Sequence, residues 1–311
     1  MKFVEGVRAT ADRIINLEIK GARNVAIAAL QALKADAENT KAKTRHEFMH
    51  ELSEARKTLF VSRPTEPFMR NAITFVIGRV NESSMKKVAE LSSIVSSSSQ
   101  EFLESLEQAR NCIAEIGAKR IQDGMTIFTH CRSSTVTCLL RKAKKSSKKF
   151  SVICTETRPV FQGRLTAREL LDMGINTTLI VDSAARSSIK QADIVLVGAD
   201  AITSDGNVIN KIGTASIAIL AEEARVPFYV ASELLKFDAA TQIGEFETIE
   251  ERSRDEVWTD SPPNLIIKNP AFEVVRRDFI HALICEEGII PPHIVSEVIR
   301  RKYPWIFKIK P

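Results

Sequence analysis

From Gly124 onward, short runs that are apolar along their whole length recur between stretches of helical spacing, and this restricts the fold more than anything else in the chain. The runs are Met125–Thr129, Phe150–Cys154, Thr177–Val181, Asp193–Val197, Pro227–Ala231 and Leu265–Ile267. Helical patterns fill Ser133–Lys144, Leu165–Met173, Ala184–Gln191, Lys211–Ala224 and Phe272–Cys285. Strands apolar on both faces need cover on both, as in a parallel sheet between two layers of helices. Residues 1–118 carry helical spacing only: Val7–Ala35, Arg45–Val61, Glu66–Val80 and Ser84–Ile121. The run Ser96–Ser99 reads as a helix–helix connection within the last of these. The expected fold is α/β: a helical amino-terminal domain (1–120), then a Rossmann-like doubly wound parallel-sheet domain (121–311).

Bulk properties narrow the function classes. A hydrophobic content of 44% and a charged content of 27% describe a soluble globular chain. The net charge of +5 is modest. One basic cluster, Arg141–Lys149, has no interleaved aromatic residues and reads as a solvated helix end, so nucleic acid is not an expected partner. No apolar leader or membrane-length run is visible, and the five cysteines lack CxxC spacing. A reduced, cytoplasmic protein without a disulfide framework is the expectation. No GxGxxG follows the first strand, so a dinucleotide site is not supported.

Two strand ends carry the chemistry. The run Met125–Thr129 leads into His130-Cys131-Arg132 and then Ser133, Ser134 and Thr135. If a serine caps the next helix, the helix start and Arg132 would lower the Cys131 pKa, and free backbone N–H groups there would suit an anion. The run Ile194–Val197 ends Gly198-Ala199-Asp200. In doubly wound sheets ligands bind outside such carboxyl ends, so a thiol and a carboxylate are placed to converge on one small molecule. Asn210 and Lys211 precede a helix, Arg63 lies on a loop preset by Pro64, and Lys236 follows the fifth strand. Glu156-Thr-Arg158-Pro159 with Gln162 follows the second. Gly21, within Lys20-Gly21-Ala22-Arg23, interrupts an otherwise regular helix, a choice that suggests close packing or backbone contact with a ligand. His46-Glu-Phe-Met-His50 matches the three fixed positions of a zinc-helix motif, lacks any extension of it, and is read as a chance match.

Taken in order, these residues resemble a known family. Ser62–Thr65, His130–Thr135, Glu156–Pro159 with Gln162, Gly198–Asp200, Gly206–Thr214, Ile249–Arg252, Asn269-Pro270 and Glu287–Pro292 together resemble the family shared by ribose-1,5-bisphosphate isomerase, methylthioribose-1-phosphate isomerase and the alpha-type regulatory subunits of initiation factor 2B. The resemblance implies an aldose–ketose isomerase with Cys131 as proton acceptor and Asp200 as proton donor. It implies substrate contacts from Lys20, Gly21, Ala22, Arg23, Arg63, Ser133, Ser134, Thr135, Gln162, Asn210, Lys211 and Lys236. The short amino-terminal region favours the ribose-bisphosphate branch, which is archaeal and tied to AMP breakdown. A sugar-phosphate substrate, a nucleotide activator, no metal or redox cofactor, and dimers or hexamers are implied with it. Self-association is expected near Phe279–Cys285 and Ile289-Ile290. The alternatives are a methylthioribose-1-phosphate isomerase or a non-catalytic regulatory subunit. One departure stands out: the isomerases carry Arg-Gly-Ala-Gly where this chain has Lys20-Gly21-Ala22-Arg23. Arg23 would either take over a phosphate or fill the pocket.

Overall fold

A computed structural model describes residues 6–64, 66–244 and 249–307. Thr65 of the Ser62–Thr65 motif and the extreme amino terminus lie outside the described residues. Five helices open the chain: α1 (Val7–Ile15), α2 (Ala22–Glu38), α3 (Arg45–Ser62), α4 (Pro67–Glu82) and α5 (Val88–Ala118). The helix expected over Val7–Ala35 is two helices. The chain breaks between Ile15 and Ala22, and Gly21, at φ 86°, is the residue before the first turn of α2. A left-handed φ is cheap for glycine, so Gly21 starts a helix here and does not interrupt one. The serine run, by contrast, breaks nothing. It lies inside the continuous α5, where Ser98 and Ser99 are buried and Ser97 Oγ bonds the Ile94 carbonyl, a helix-compatible use of a small hydroxyl.

The sheet follows as β1 (Thr126–Thr129), α6 (Ser134–Lys145), β2 (Ser151–Thr155), α7 (Gln162–Asp172), β3 (Asn176–Ile180), α8 (Ala185–Ile189) and β4 (Ile194–Val197). Then come β5 (Ala201–Ile202), β6 (Val208–Lys211), α9 (Thr214–Ala224), β7 (Phe228–Ala231), β8 (Phe272–Val275), β9 (Ala282–Cys285), β10 (Gly288–Ile290) and α10 (Val295–Lys302). Seven strands form the main sheet in the order β10-β9-β7-β4-β1-β2-β3, parallel except for β10. The chain runs outward from β1 through β2 to β3, then returns to lay β4 on the other side of β1. The order therefore reverses between β1 and β4, the place where doubly wound sheets open a crevice. Buried apolar side chains cover both faces, and one of these clusters runs on without a break into α2, α4 and α5.

The carboxy-terminal third departs from expectation. Leu265–Ile267 forms no strand; Ile266 is 84% exposed in a loop. Phe272–Cys285 is not a helix but β8, a short 3-10 turn at Arg277–Phe279, and β9. β8 pairs antiparallel with β6, which pairs with β5, giving a second small sheet. β-branched and aromatic residues there win over the helical spacing. Of the stretch expected to mediate self-association, residues 282–285 are a buried core strand, while His281 and, on β10, Ile289 are exposed.

Candidate active site

β1 and β4 are neighbours, so Cys131 and Asp200, just past their ends, come to one cavity of about 350 Å³. Cys131 has φ 64°, a left-handed backbone that a non-glycine residue adopts only when its surroundings enforce it. They do. Its N–H donates to Thr157 Oγ1 at 3.0 Å, its carbonyl accepts from Thr166 Oγ1 at 3.1 Å, and its thiol reaches Gln162 Oε1 at 3.5 Å. Behind it, His130 Nδ1 meets Thr155 Oγ1 at 2.6 Å and Nε2 meets the Ile212 carbonyl at 2.9 Å. The carbonyl can only accept, so Nε2 carries the proton. Burial lowers the His130 pKa, so the ring stays a neutral brace between β1, β2 and the loop before α9.

The thiol is not the low-pKa group expected from sequence. Burial pushes Cys131 up to about 12; Lys211 pulls it down, and Asp200 pushes it further up. Arg132 helps only through its backbone N–H, because its guanidinium turns away to Glu169 at 2.6 Å. Desolvation outweighs the helix start.

Asp200 is half-buried on the cavity wall, its N–H held by the Ile209 carbonyl at 2.8 Å across the β5–β6 edge. Gly198 lets β4 end close against the start of α6: a Cβ there would stand 2.5 Å from Ser133 Oγ. Ser133 is the residue before α6, accepting from the Val136 N–H at 3.3 Å, and lines the cavity with Ser134. The starts of α2, α6 and α7 all face this space through Gly21 and Ala22, Ser133 and Ser134, and Gln162. Three helix amino termini, the positive ends of their dipoles, meet at one cavity and favour anions.

Lys20, Arg63, Lys211 and Lys236 add positive charge from both halves of the chain, and Asn210 lines the wall beside them. The second sheet delivers Asn210 and Lys211; Asn210 Nδ2 donates to Thr214 Oγ1 at 3.0 Å, and Lys211 Nζ lies 4.9 Å from the centre of the Phe272 ring. Lys236 Nζ donates to the Ala199 carbonyl at 2.8 Å.

Two expected ligands are otherwise engaged. Thr135 does not reach the wall; its hydroxyl faces both oxygens of buried Glu233 at 3.4 Å. Arg23 lines the cavity, but its terminal nitrogens are engaged by Glu233 at 3.2 Å, the Leu106 carbonyl at 3.1 Å and Glu107 at 2.9 Å. Burial opposes the Glu233 charge, yet Lys236 and Arg23 keep its pKa below the ordinary value.

Several lining residues were outside the sequence-predicted site. Arg252, gripped by Glu250 at 2.9 Å and by Glu256, and Asn269, bonded to the Ser253 carbonyl at 2.9 Å, had only motif membership as a signal. Arg110 had none, because helical spacing does not tell which face meets a distant strand end. In the zinc-like motif Glu47 makes a capping box with Thr44, and His46 and His50 are exposed. Among the described residues no cluster of three His, Cys, Asp or Glu could hold a metal, and no helix is long and apolar enough to cross a membrane. The basic run Arg141–Lys149 is partly consumed in the fold, Lys148 Nζ capping the Ala118 carbonyl at the end of α5 at 2.7 Å.

Fold and site together define a doubly wound α/β protein with a thiol and a carboxylate at the switch point of its sheet. The chain belongs to the initiation factor 2 subunit family, whose profile matches residues 18–292. It is 41% identical to the ribose 1,5-bisphosphate isomerase of Pyrococcus furiosus over 99% of this chain and 97% of that protein. The translation initiation factor eIF-2B structure from Pyrococcus horikoshii superposes with a TM-score of 0.79 at 32% identity, covering 92% of this chain and 97% of that one. The 5-methylthioribose 1-phosphate isomerase structure from the same organism gives 0.77 at 29% identity, covering 98% and 88%.

Proposed function

We propose that this chain is an aldose–ketose isomerase that converts ribose 1,5-bisphosphate into ribulose 1,5-bisphosphate. The observation that carries the reading is the meeting of Cys131 and Asp200 at one cavity that several cations and helix starts also line. A phosphate at each end of a pentose finds charge there, whereas the methylthio end of methylthioribose 1-phosphate would face it without a partner. A regulatory subunit has no chemical use for the pair. The likeness to the Pyrococcus furiosus isomerase over nearly the whole chain points the same way.

The C1 phosphate prevents ring opening to a free aldehyde. Asp200 donates a proton to the ring oxygen as the C1–O bond breaks, and Cys131 as thiolate removes the C2 proton. The C2–H electrons form a C1=C2 double bond, giving a phosphoenol; reprotonation at C1 and loss of the C2 hydroxyl proton yield the ketose. The thiol is a weak acid in its dry site, so Lys211, its strongest stabilising charge, sets how readily the thiolate forms. Once formed, a thiolate with so high a pKa is a strong base. Gln162 orients the sulfur, and Asn210, Lys211, Ser133, Ser134, Arg63, Lys236 and the Lys20–Ala22 segment hold the sugar phosphate.

The same reading carries self-association into dimers or hexamers, activation by a nucleotide, and a cytoplasmic setting. Incubating the purified protein with ribose 1,5-bisphosphate and with methylthioribose 1-phosphate, and following the ketoses, tests it. Turnover of the bisphosphate is expected. Turnover of the methylthio sugar alone, or of neither, would overturn the assignment.

A further inference from the structure

Glu66 lies one residue before α4 and is fully buried, yet neither of its carboxylate oxygens accepts a hydrogen bond among the described residues. Its neighbour Arg63 mirrors it: buried Nε and Nη1 donate none. The pair is joined by a 3.5 Å contact between Arg63 Nε and Glu66 Oε2, an ion pair longer than a good hydrogen bond. Buried groups so poorly satisfied are rare and call for a physical reason. Arg63 opens onto the cavity, while Glu66 stands behind it, off the wall.

The charges facing Glu66 come from three elements. Arg63 and Arg70 are on its own segment, Lys236 is on the 3-10 turn after β7, and Asp200 is at the end of β4. Arg70 is itself paired with Asp238 at 3.3 Å. Burial raises the Glu66 pKa to about 7 against the pull of Arg63, and Asp200 adds to the rise. A phosphate arriving at Arg63 would place a second anion beside a carboxylate that has no hydrogen bonds to hold its charge.

We propose that Glu66 is a positioning residue that exchanges its place on Arg63 for a proton when the substrate's phosphate binds. With the cavity empty it is the counter-ion of Arg63. With phosphate bound it is neutral, and the Nε and Nη1 donors are given over to the ligand. The inference rests on the sugar-phosphate reading above and adds to it a proton taken up with the substrate.

The sign follows from linkage. A nearby anion favours the neutral acid, so affinity is level below about pH 7 and weakens above it, by at most about tenfold per pH unit. The test is titration of Cys131→Ser protein, in which turnover is expected to stop, with ribulose 1,5-bisphosphate at pH 8 in two buffers of different ionisation heat. Sugar phosphates are already dianions at that pH. Uptake of the larger part of one proton per chain is expected, with affinity falling between pH 7 and 9. Adding Glu66→Gln should remove the uptake and level the affinity while binding persists. Equal uptake with and without Glu66, or a level affinity in the starting protein, would overturn the proposal. The second of these decides even if Glu66→Gln fails to fold. If the bisphosphate does not bind at all, the substrate reading fails, and the same titration with inorganic phosphate then judges Glu66 separately.

Discussion

Arg23 and Arg63 are both buried, both at the wall of one cavity, and both of a residue type suited to phosphate, yet the fold uses them in opposite ways. Arg23 is engaged at both terminal nitrogens. It ties α2 to α5 through the Leu106 carbonyl and Glu107, and to the turn after β7 through Glu233. Arg63 is underused, with two buried donors bonded to nothing among the described residues and one long contact to Glu66. The difference teaches that a guanidinium at a cavity is recognised as a ligand by its unspent donors, not by its position. Arg23, read from sequence as a phosphate ligand or a plug, also serves as a buried strut for Glu233, and through Glu233 for Lys236.

The largest effect expected from this contrast is on catalysis. Arg63→Ala should lower kcat/KM on the order of 100-fold, chiefly through KM, because it deletes charge-assisted contacts to phosphate. Steady-state kinetics with the bisphosphate would show it, and a change under threefold would put Arg63 outside the site. Arg23→Met should do the reverse. Leaving Glu233 buried with fewer partners costs about 3 kcal/mol, read as a lower denaturation midpoint, while KM stays within a few-fold. A sharp rise in KM at full stability would erase the distinction between the two arginines.

A subtler effect concerns pH. Burial holds the Cys131 thiol up near 12, so below that value the active thiolate is a minor species whose fraction grows about tenfold per pH unit. Measured as kcat at saturating substrate, which sets aside the Glu66-linked change in affinity, activity should climb from pH 6 to 9 without levelling. A plateau near pH 7 would mean that the bound substrate or a moving side chain lowers the thiol far more than Lys211 does. The smallest effect should come from Thr135→Val. The hydroxyl faces Glu233 and not the cavity, so KM should change less than twofold.

How legible this was in the sequence depends on the range of the interactions. The parallel strands and the places of Cys131 and Asp200 were readable, because wholly apolar runs ending in polar residues reflect burial on both faces and a switch point. The second sheet was not. β6 and β8 are joined across more than sixty residues by backbone bonds, and Phe272–Cys285 has helical spacing that long-range pairing overrides. The thiol's acidity was misjudged because Arg132 and a helix start are local signals, whereas desolvation comes from the packing of β1, β2 and α7 around it. Arg23's role needed Glu233, 210 residues away.

The central claim, that Cys131 is the base of an isomerase, is tested most directly by replacing its sulfur with oxygen. Cys131→Ser keeps the shape and the backbone bonds to Thr157 and Thr166 but substitutes an alcohol that cannot act as the base near neutral pH. Conversion of ribose 1,5-bisphosphate by this protein should fall below detection while ribulose 1,5-bisphosphate still binds. Turnover within a few-fold of the unaltered protein would remove Cys131 from the mechanism.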